Sequence, residues 1–221
     1  MVCYVTDRKA LAAADPVAAL RASIHRAIVA GIDWVQIREK DLSGRELFGL
    51  AKAAVDAATE NRGSPARAAK IIVNDRIDVA LAAAAAGVHL GRESIAAAEA
   101  VRWCRGGNAP AEFVIGVSCH SVAELQAAEA AGASYAIFGP VFDTPSKRPF
   151  GSPQGTAKLA EACRAAQIPV IAIGGVDERN AADCLRAGAA GIAAIRLFQD
   201  SGTVQSLSGL VSRLHQLRSG H

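Results

Sequence analysis

The chain has 221 residues, a length that is compatible with one large domain (residues 1–221). Its net charge of +3 and its pI near 8.7 are too mild to favour a nucleic-acid surface. Its five cysteines are odd in number and contain no C-x-x-C pair, which argues against a disulfide framework or a zinc site. No apolar stretch indicates an export signal or a membrane span, and we expect a cytoplasmic protein whose mild positive charge suits a small anionic substrate.

Short β-branched runs alternate along the chain with alanine-rich segments of helical period. The predicted strands are residues 2–6, 34–38, 70–73, 88–90, 113–117, 135–138, 169–173 and 191–195. The predicted helices are residues 15–30, 43–60, 77–86, 94–104, 121–132, 157–166, 179–187 and 204–218. Such alternation requires parallel strands with right-handed crossovers, and eight units predict a single (β/α)8 TIM barrel.

Three helix starts carry recognisable capping residues. Asp15 followed by Pro16 is typical of an N-cap and a first helical position. Ser43-x-x-Glu46 and Ser121-x-x-Glu124 have the spacing of a capping box, in which each side chain binds the backbone of the other residue.

The loop after the sixth strand is unusually long. It follows Gly139-Pro140, spans about fifteen residues and carries Thr144, Ser146, Lys147 and Arg148. Hydroxyls beside cations suit a phosphate, because hydroxyls donate directional hydrogen bonds and the cations supply charge. The alternative is an ordinary solvated surface loop.

Polar residues also end several other predicted strands, where characterised barrel enzymes place their active sites. Alternation along the second strand directs Gln36 and Arg38 to the same side, and Lys40 continues that series. Asn74-Asp75 after the third strand either caps the next helix or places Asp75 as an oxygen ligand of Mg²⁺.

The remaining strand ends are Ser118 to His120, Gly174-Gly175 and Ile195-Arg196. Gly174-Gly175 and the turn after the eighth strand are typical of the phosphate site of barrel enzymes. His120 either orients a capping turn or takes part in chemistry, whereas His89 lies within a strand and is expected to be a hydrogen-bonded core residue.

Together these residues resemble the family of thiamine phosphate synthases and the related thiazole tautomerases, from the first strand to about Leu197. The resemblance rests on six motifs in order: Q-x-R-x-K at Gln36, Arg38 and Lys40, N-D at Asn74 and Asp75, G-V-H-L-G at residues 87–91, G-V-S-x-H at residues 116–120, G-P-V-F-x-T-x-S-K at residues 139–147, and I-P-V-I-A-I-G-G-V at residues 168–176.

The resemblance implies a transferase of thiamine biosynthesis that joins hydroxymethylpyrimidine diphosphate to thiazole phosphate and releases pyrophosphate. It implies that the pyrimidine diphosphate is bound by Gln36, Arg38, Lys40, Asn74, Ser118 and Lys147. It implies that the thiazole phosphate is bound by Thr144, Ser146, Gly174, Gly175, Ile195 and Arg196. Arg38, Lys40 and Lys147 would stabilise the leaving diphosphate together with Mg²⁺ held by Asp75.

Two positions depart from the family pattern. The second acidic metal ligand of the synthases matches Ser94 here, so that either Glu93 takes that role, or Asp75 acts with diphosphate oxygens and water, or the synthase activity has been lost. Arg196 replaces a small hydroxyl residue, and it either strengthens phosphate binding or crowds the pocket.

Two other functions remain open at this point. A thiazole tautomerase needs no metal and would use His120 as a general acid and base. A non-catalytic sensor of thiazole or thiamine phosphate would need the phosphate site but not the cations for the diphosphate. Homo-oligomerisation also stays open.

Overall fold

The structure is a computed structural model that describes residues 1–61, 68–144 and 153–219. Within them, eight parallel strands pair in chain order and the eighth pairs with the first, so that the sheet closes into a barrel. The strands are β1 (Val2–Val5), β2 (Trp34–Ile37), β3 (Lys70–Asn74), β4 (Gly87–Leu90), β5 (Val114–Cys119), β6 (Tyr135–Phe138), β7 (Val170–Ile173) and β8 (Gly191–Ala194). The predicted (β/α)8 barrel is confirmed.

Helices on the outside connect these strands. The helices are α1 (Pro16–Val29), α2 (Gly44–Glu60), α3 (Ile77–Ala82), α4 (Ala97–Trp103), α5 (Val122–Ala130), α6 (Gly155–Ala165), α7 (Ala181–Arg186), α8 (Arg196–Gln199) and α9 (Val204–Ser219). A short 3₁₀ turn, Arg8–Ala10, follows β1, and a π-helical turn, Cys104–Asn108, extends α4. The four-residue helix α8 was not predicted.

Local capping explains two of the predicted helix starts. The Asp15 carboxylate accepts hydrogen bonds from the amides of Val17 and Ala18 at 3.1 and 3.0 Å, with Pro16 in the first turn. Ser43 and Glu46 form the complete capping box of α2. These side chains satisfy amides that the helix itself leaves without partners.

Period-two alternation divides the apolar strand residues into two cores. One set faces outward and packs against the helices, among it Tyr4, Val35 and Ile71. The other set fills the barrel interior and consists of Cys3, Val5, Tyr135, Ile137, Ile171 and Ala193. The interior is therefore a packed core, and only its two ends are open to function.

The Tyr135 ring occupies space that a side chain on β5 would otherwise take. A Cβ atom built on Gly116 would lie 2.0 Å from Cζ of Tyr135, so that residue 116 has to be glycine for this packing. The Trp34 indole stacks edge-on against the same ring, with centroids 4.8 Å apart. The tyrosine hydroxyl points to His89, toward the other end of the barrel.

Candidate active site

The carboxyl ends of the strands meet at one rim, because all neighbouring strands run in the same direction. Three polar side chains near this rim are buried: Gln36, Asn74 and His89 are 3%, 8% and 2% exposed. Gln36 Nε2 donates a hydrogen bond of 3.1 Å to Asn74 Oδ1 and so links the ends of β2 and β3. Gln36 Oε1 is buried and receives no hydrogen bond from the described residues. A buried acceptor without a donor is costly, so this atom is suited to a donor on a bound molecule.

The Asp75 carboxylate is oriented by three hydrogen-bond donors. Asn74 Nδ2 donates to Oδ2 at 2.6 Å, and the amide of Gly91 donates to Oδ1 at 3.2 Å. The Ser94 hydroxyl binds the same Oδ1, while its own oxygen accepts from the Gly91 amide at 2.7 Å. The Asp75 backbone has a φ of 63°, which is uncommon outside glycine and occurs often at functional sites.

The helix-capping interpretation of Asn74-Asp75 is wrong. The N-cap of α3 is Arg76, and no side-chain capping bond is made there. Ser94, predicted to be the first residue of a helix, lies before α4, which begins at Ala97. The reason is tertiary, because the Ser94 hydroxyl is engaged by Asp75 instead of by the backbone of its own helix.

Two cations, Arg38 and Lys40, follow β2 at this rim. Arg38 is half-buried and comes directly after Ile37, the last residue of β2, as Asp75 comes directly after Asn74, the last residue of β3. Lys40 Nζ lies 3.9 Å from Glu93 Oε2, and their side chains are 53% and 90% exposed. Glu93, the second candidate metal ligand, is thus solvent-exposed beside a cation of the rim.

His89 is a hydrogen-bonded core residue, as predicted. Its Nδ1 lies 3.2 Å from the Tyr135 hydroxyl and its Nε2 lies 2.9 Å from Ser118 Oγ. Burial lowers the pKa of His89 from 6.5 to about 4, with Asp75 raising it and Arg38 lowering it by smaller amounts. At neutral pH the ring is uncharged, and one nitrogen donates while the other accepts, which orients the half-buried Ser118.

His120 lies at the rim between β5 and β6. Its Nδ1 binds the backbone carbonyl of Gly139, so Nδ1 carries the proton and Nε2 remains an acceptor. The predicted second capping box is only half formed. Ser121 Oγ accepts from the Glu124 amide, but Glu124 Oε2 accepts from the His120 amide at 2.6 Å. Glu124 therefore also fixes the backbone of His120.

Gly174 and Gly175 allow the loop after β6 to pass close to the end of β7. Their φ angles are 97° and 62°, and Cβ atoms there would lie 2.5 Å from Pro140 Cβ and 2.8 Å from Phe142 Cβ. The amide of Phe142 donates to the Gly174 carbonyl at 2.9 Å. This contact brings the chain that leads to the half-buried Thr144 against the Gly174-Gly175 turn.

The end of β8 completes the rim. Ile195 packs against the interior core, and the exposed Arg196 begins α8. Ser146, Lys147 and Arg148, predicted in the long loop, lie outside the described residues.

No group of three or more His, Cys, Asp or Glu side chains in residues 1–61, 68–144 and 153–219 is arranged to hold a metal ion. In the same residues, no helix is long and apolar enough to cross a membrane.

Three comparisons with known proteins point in one direction. The family model described as thiamine monophosphate synthase matches residues 2–198. A putative thiamine-phosphate synthase of Geobacter sulfurreducens is 43% identical over 191 residues, which are 86% of this chain and 83% of the relative. A thiamine-phosphate synthase of Chlorobium phaeobacteroides is 35% identical over 220 residues, covering 100% of this chain and 97% of the relative.

A solved structure, the thiamine phosphate pyrophosphorylase from Pyrococcus furiosus, matches with a TM-score of 0.81 and 29% identity over 98% of this chain and 96% of that one. The chain belongs to the thiamine monophosphate synthase family.

Proposed function

We propose that the protein is a thiamine-phosphate synthase, a transferase that joins hydroxymethylpyrimidine diphosphate to thiazole phosphate and releases pyrophosphate. The family and the names of the relatives support this reading. The observation that carries it is the chain of hydrogen bonds from Gln36 through Asn74 to Asp75, at the strand ends that Arg38 and Lys40 follow. An amide, a carboxylate and two cations at neighbouring strand ends support the binding of a diphosphate.

The proposed division of the rim follows its two halves. The ends of β2 to β5 carry the groups for the pyrimidine diphosphate, which are Gln36, Arg38, Lys40, Asn74 and Ser118. The ends of β6 to β8 carry those for the thiazole phosphate, which are Thr144, Gly174, Gly175, Ile195 and Arg196. The proposal also assigns Lys147 to the diphosphate and Ser146 to the thiazole phosphate, and both residues lie outside the part of the chain that the structure describes. The buried acceptor Gln36 Oε1 suits the amino group of the pyrimidine.

The reaction breaks the bond between the exocyclic methylene carbon and the diphosphate oxygen, and the electron pair leaves with pyrophosphate. The thiazole nitrogen supplies the pair for the new carbon–nitrogen bond, so this step needs no general base. The aminopyrimidine itself stabilises positive charge on the methylene carbon. The protein therefore mainly has to stabilise the leaving group and align the nucleophile, for which Arg38, Lys40 and Lys147 are suited.

The residues at the rim fit Mg²⁺ as a cofactor. The Asp75 carboxylate lies beside the Ser94 hydroxyl at the opening, and magnesium is often held by one or two carboxylates together with substrate phosphates. Asp75 would hold the ion, and the exposed Glu93 is the other acidic candidate. When bound, Mg²⁺ would neutralise charge on the departing diphosphate.

One observation favours a thiazole tautomerase as the second candidate. The bond from His120 Nδ1 to the Gly139 carbonyl leaves Nε2 as an acceptor that can take and return a proton. Ser94, where the synthases carry an acid, is compatible with a reaction that uses no metal. Asp75 and its three donors favour the synthase instead.

The test mixes the protein with both substrates and Mg²⁺ and follows pyrophosphate release. We expect EDTA to suppress release, and Asp75→Ala or Lys147→Ala to lower it by more than about tenfold. Asp78→Ala is the matched control, because Asp78 is an exposed carboxylate three residues away that binds Arg76. Release that is insensitive to EDTA would contradict the role of Mg²⁺, and an absence of release while thiazole isomerisation is rapid would favour the tautomerase.

A further inference from the structure

The segment that carries Arg38 and Lys40 is held by the loop after β1. The Thr6 amide donates to the Gln36 carbonyl at 2.9 Å, which continues the ladder between β1 and β2. The next donor on the partner segment, the Arg38 amide, binds the Thr6 hydroxyl at 2.9 Å instead of a backbone carbonyl. A side chain thus extends the ladder by one step, and it fixes the backbone of Arg38.

The Thr6 hydroxyl is in turn held by Glu39. Thr6 Oγ1 donates to Glu39 Oε1 at 2.7 Å, which directs its lone pairs toward the Arg38 amide. The Glu39 side chain is only 2% exposed and also accepts from the Arg8 amide at 3.2 Å and from the Arg8 guanidinium at 3.0 Å. Burying a charged carboxylate costs free energy unless several donors bind it, and Glu39 has such donors in Thr6 and Arg8.

The Arg8 guanidinium also binds the residue on the other side of Lys40. It contacts Asp41 Oδ1 and Oδ2 at 2.6 and 2.9 Å, in addition to Glu39. The bond to Asp41 lies at the surface, where an ion pair contributes little, so the anchor of this segment is the buried Glu39. The buried Glu39 lies between the half-buried Arg38 and the exposed Lys40, so its anchoring restrains the backbone that carries both cations.

We infer that Glu39, together with Thr6, is a positioning residue that sets Arg38 and Lys40 at the spacing a diphosphate group requires. The inference rests on the proposed function, since it names these two cations as the diphosphate contacts. Glu39 acts through the Thr6 hydroxyl and the backbone of residues 38–40. A group that aligns cations in this way influences the step in which charge develops on the leaving group.

A purely structural role predicts a different result. If Glu39 only stabilised the barrel, its replacement would lower the melting temperature and would change the KM values of both substrates alike. A positioning role predicts a selective loss for the substrate that carries the diphosphate. Two readouts separate these roles: kcat/KM for the pyrimidine diphosphate and the KM for thiazole phosphate. Both are compared with wild type, together with the melting temperature.

The experiment compares Glu39→Gln, Thr6→Val and Thr6→Ser with Asp41→Asn. Glu39→Gln retains the shape of the side chain, Thr6→Val removes the hydroxyl, and Thr6→Ser restores it. Asp41→Asn is the matched control, because it neutralises an exposed carboxylate that binds the same Arg8 guanidinium as Glu39 does. Steady-state kinetics are measured with both substrates, and binding of inorganic pyrophosphate is measured in the presence of Mg²⁺.

We expect Glu39→Gln and Thr6→Val to lower kcat/KM for the pyrimidine diphosphate and the affinity for pyrophosphate by about tenfold or more, with the KM for thiazole phosphate changed by less than about twofold. Thr6→Ser and Asp41→Asn are expected within about threefold of wild type. Folded Glu39→Gln and Thr6→Val proteins with wild-type values, or equal losses for both substrates, would overturn this inference alone. A wild-type protein that releases no pyrophosphate would overturn the proposed function, and the inference with it.

Discussion

Replacing Ser94 by aspartate tests whether this position faces a metal ion. The Ser94 hydroxyl now binds Asp75 Oδ1 and accepts from the Gly91 amide. Ser94→Asp would set a second carboxylate against the first. Two full charges about 4 Å apart repel each other by about 1 kcal/mol in water and about 4 kcal/mol at an effective dielectric constant near 20. Because Asp75 is half-exposed, we expect the repulsion to lie toward the lower end of this range.

A divalent cation between the two carboxylates would reverse this effect. At a concentration about one hundred times its dissociation constant, a ligand that binds only the folded state adds about 2.7 kcal/mol to the free energy of unfolding. In a chain of this size, a change of 1 kcal/mol moves the melting temperature by about 2–4 °C. We therefore expect Ser94→Asp to melt several degrees lower than wild type in EDTA and to recover in Mg²⁺.

The assay is thermal unfolding of wild type, Ser94→Ala and Ser94→Asp, each in EDTA and in Mg²⁺. Ser94→Ala removes the hydrogen bond without adding charge, so the difference between the two variants isolates the second carboxylate. The reasoning would be refuted if Ser94→Asp unfolded with Ser94→Ala in EDTA and gained nothing from Mg²⁺. That result would place residue 94 away from any cation.

Three further predictions concern stability. Gly116→Ala would put a methyl group 2.0 Å from the Tyr135 ring and should destabilise the chain by about 3 kcal/mol or more in denaturant titrations; a wild-type midpoint would contradict this packing. Gly49→Ala lies within α2, where the added methyl group would be 3.8 Å from the nearest side-chain atom of Arg21; it should stabilise the chain by about 0.5–1 kcal/mol, and a loss of stability would contradict this. His89 has a pKa of about 4 in the folded chain and about 6.5 unfolded, so the unfolded state binds its proton first as the pH falls. The free energy of unfolding is therefore unaffected by His89 above about pH 6.5 and should fall by about 3 kcal/mol toward pH 4. His89→Gln should reduce this pH dependence in unfolding titrations.

Much of the barrel follows from local rules that act in the same direction. Alternating apolar runs and helical segments set the strand count, and Asp15 and Ser43 mark helix starts with side chains that bind amides two or three residues away. The same rules were less successful at Ser94 and Glu124. Each has a tertiary or neighbouring partner, Asp75 and the His120 amide, which competes with the local capping bond.

The site shows where sequence patterns reach their limit. Because parallel strands end at one rim, the polar residues at strand ends could be assigned to a common opening, and alternation gave Gln36, Arg38 and Lys40 a common direction. Alternation also directs Glu39 away from that opening, but it does not show what the carboxylate contacts there. Its burial depends on Thr6 and Arg8, more than thirty residues earlier in the chain.

Such a partner is invisible to any local pattern, because β1 and β2 become neighbours only when the sheet forms. The pairing of Val5 with Gln36 fixes the register, and that register brings the Thr6 hydroxyl to the Arg38 amide. A shift of one residue would turn Glu39 toward the rim and Arg38 away from it. The position of the cations at the opening is thus a consequence of strand register, which a buried carboxylate on the opposite side of the same segment helps to hold.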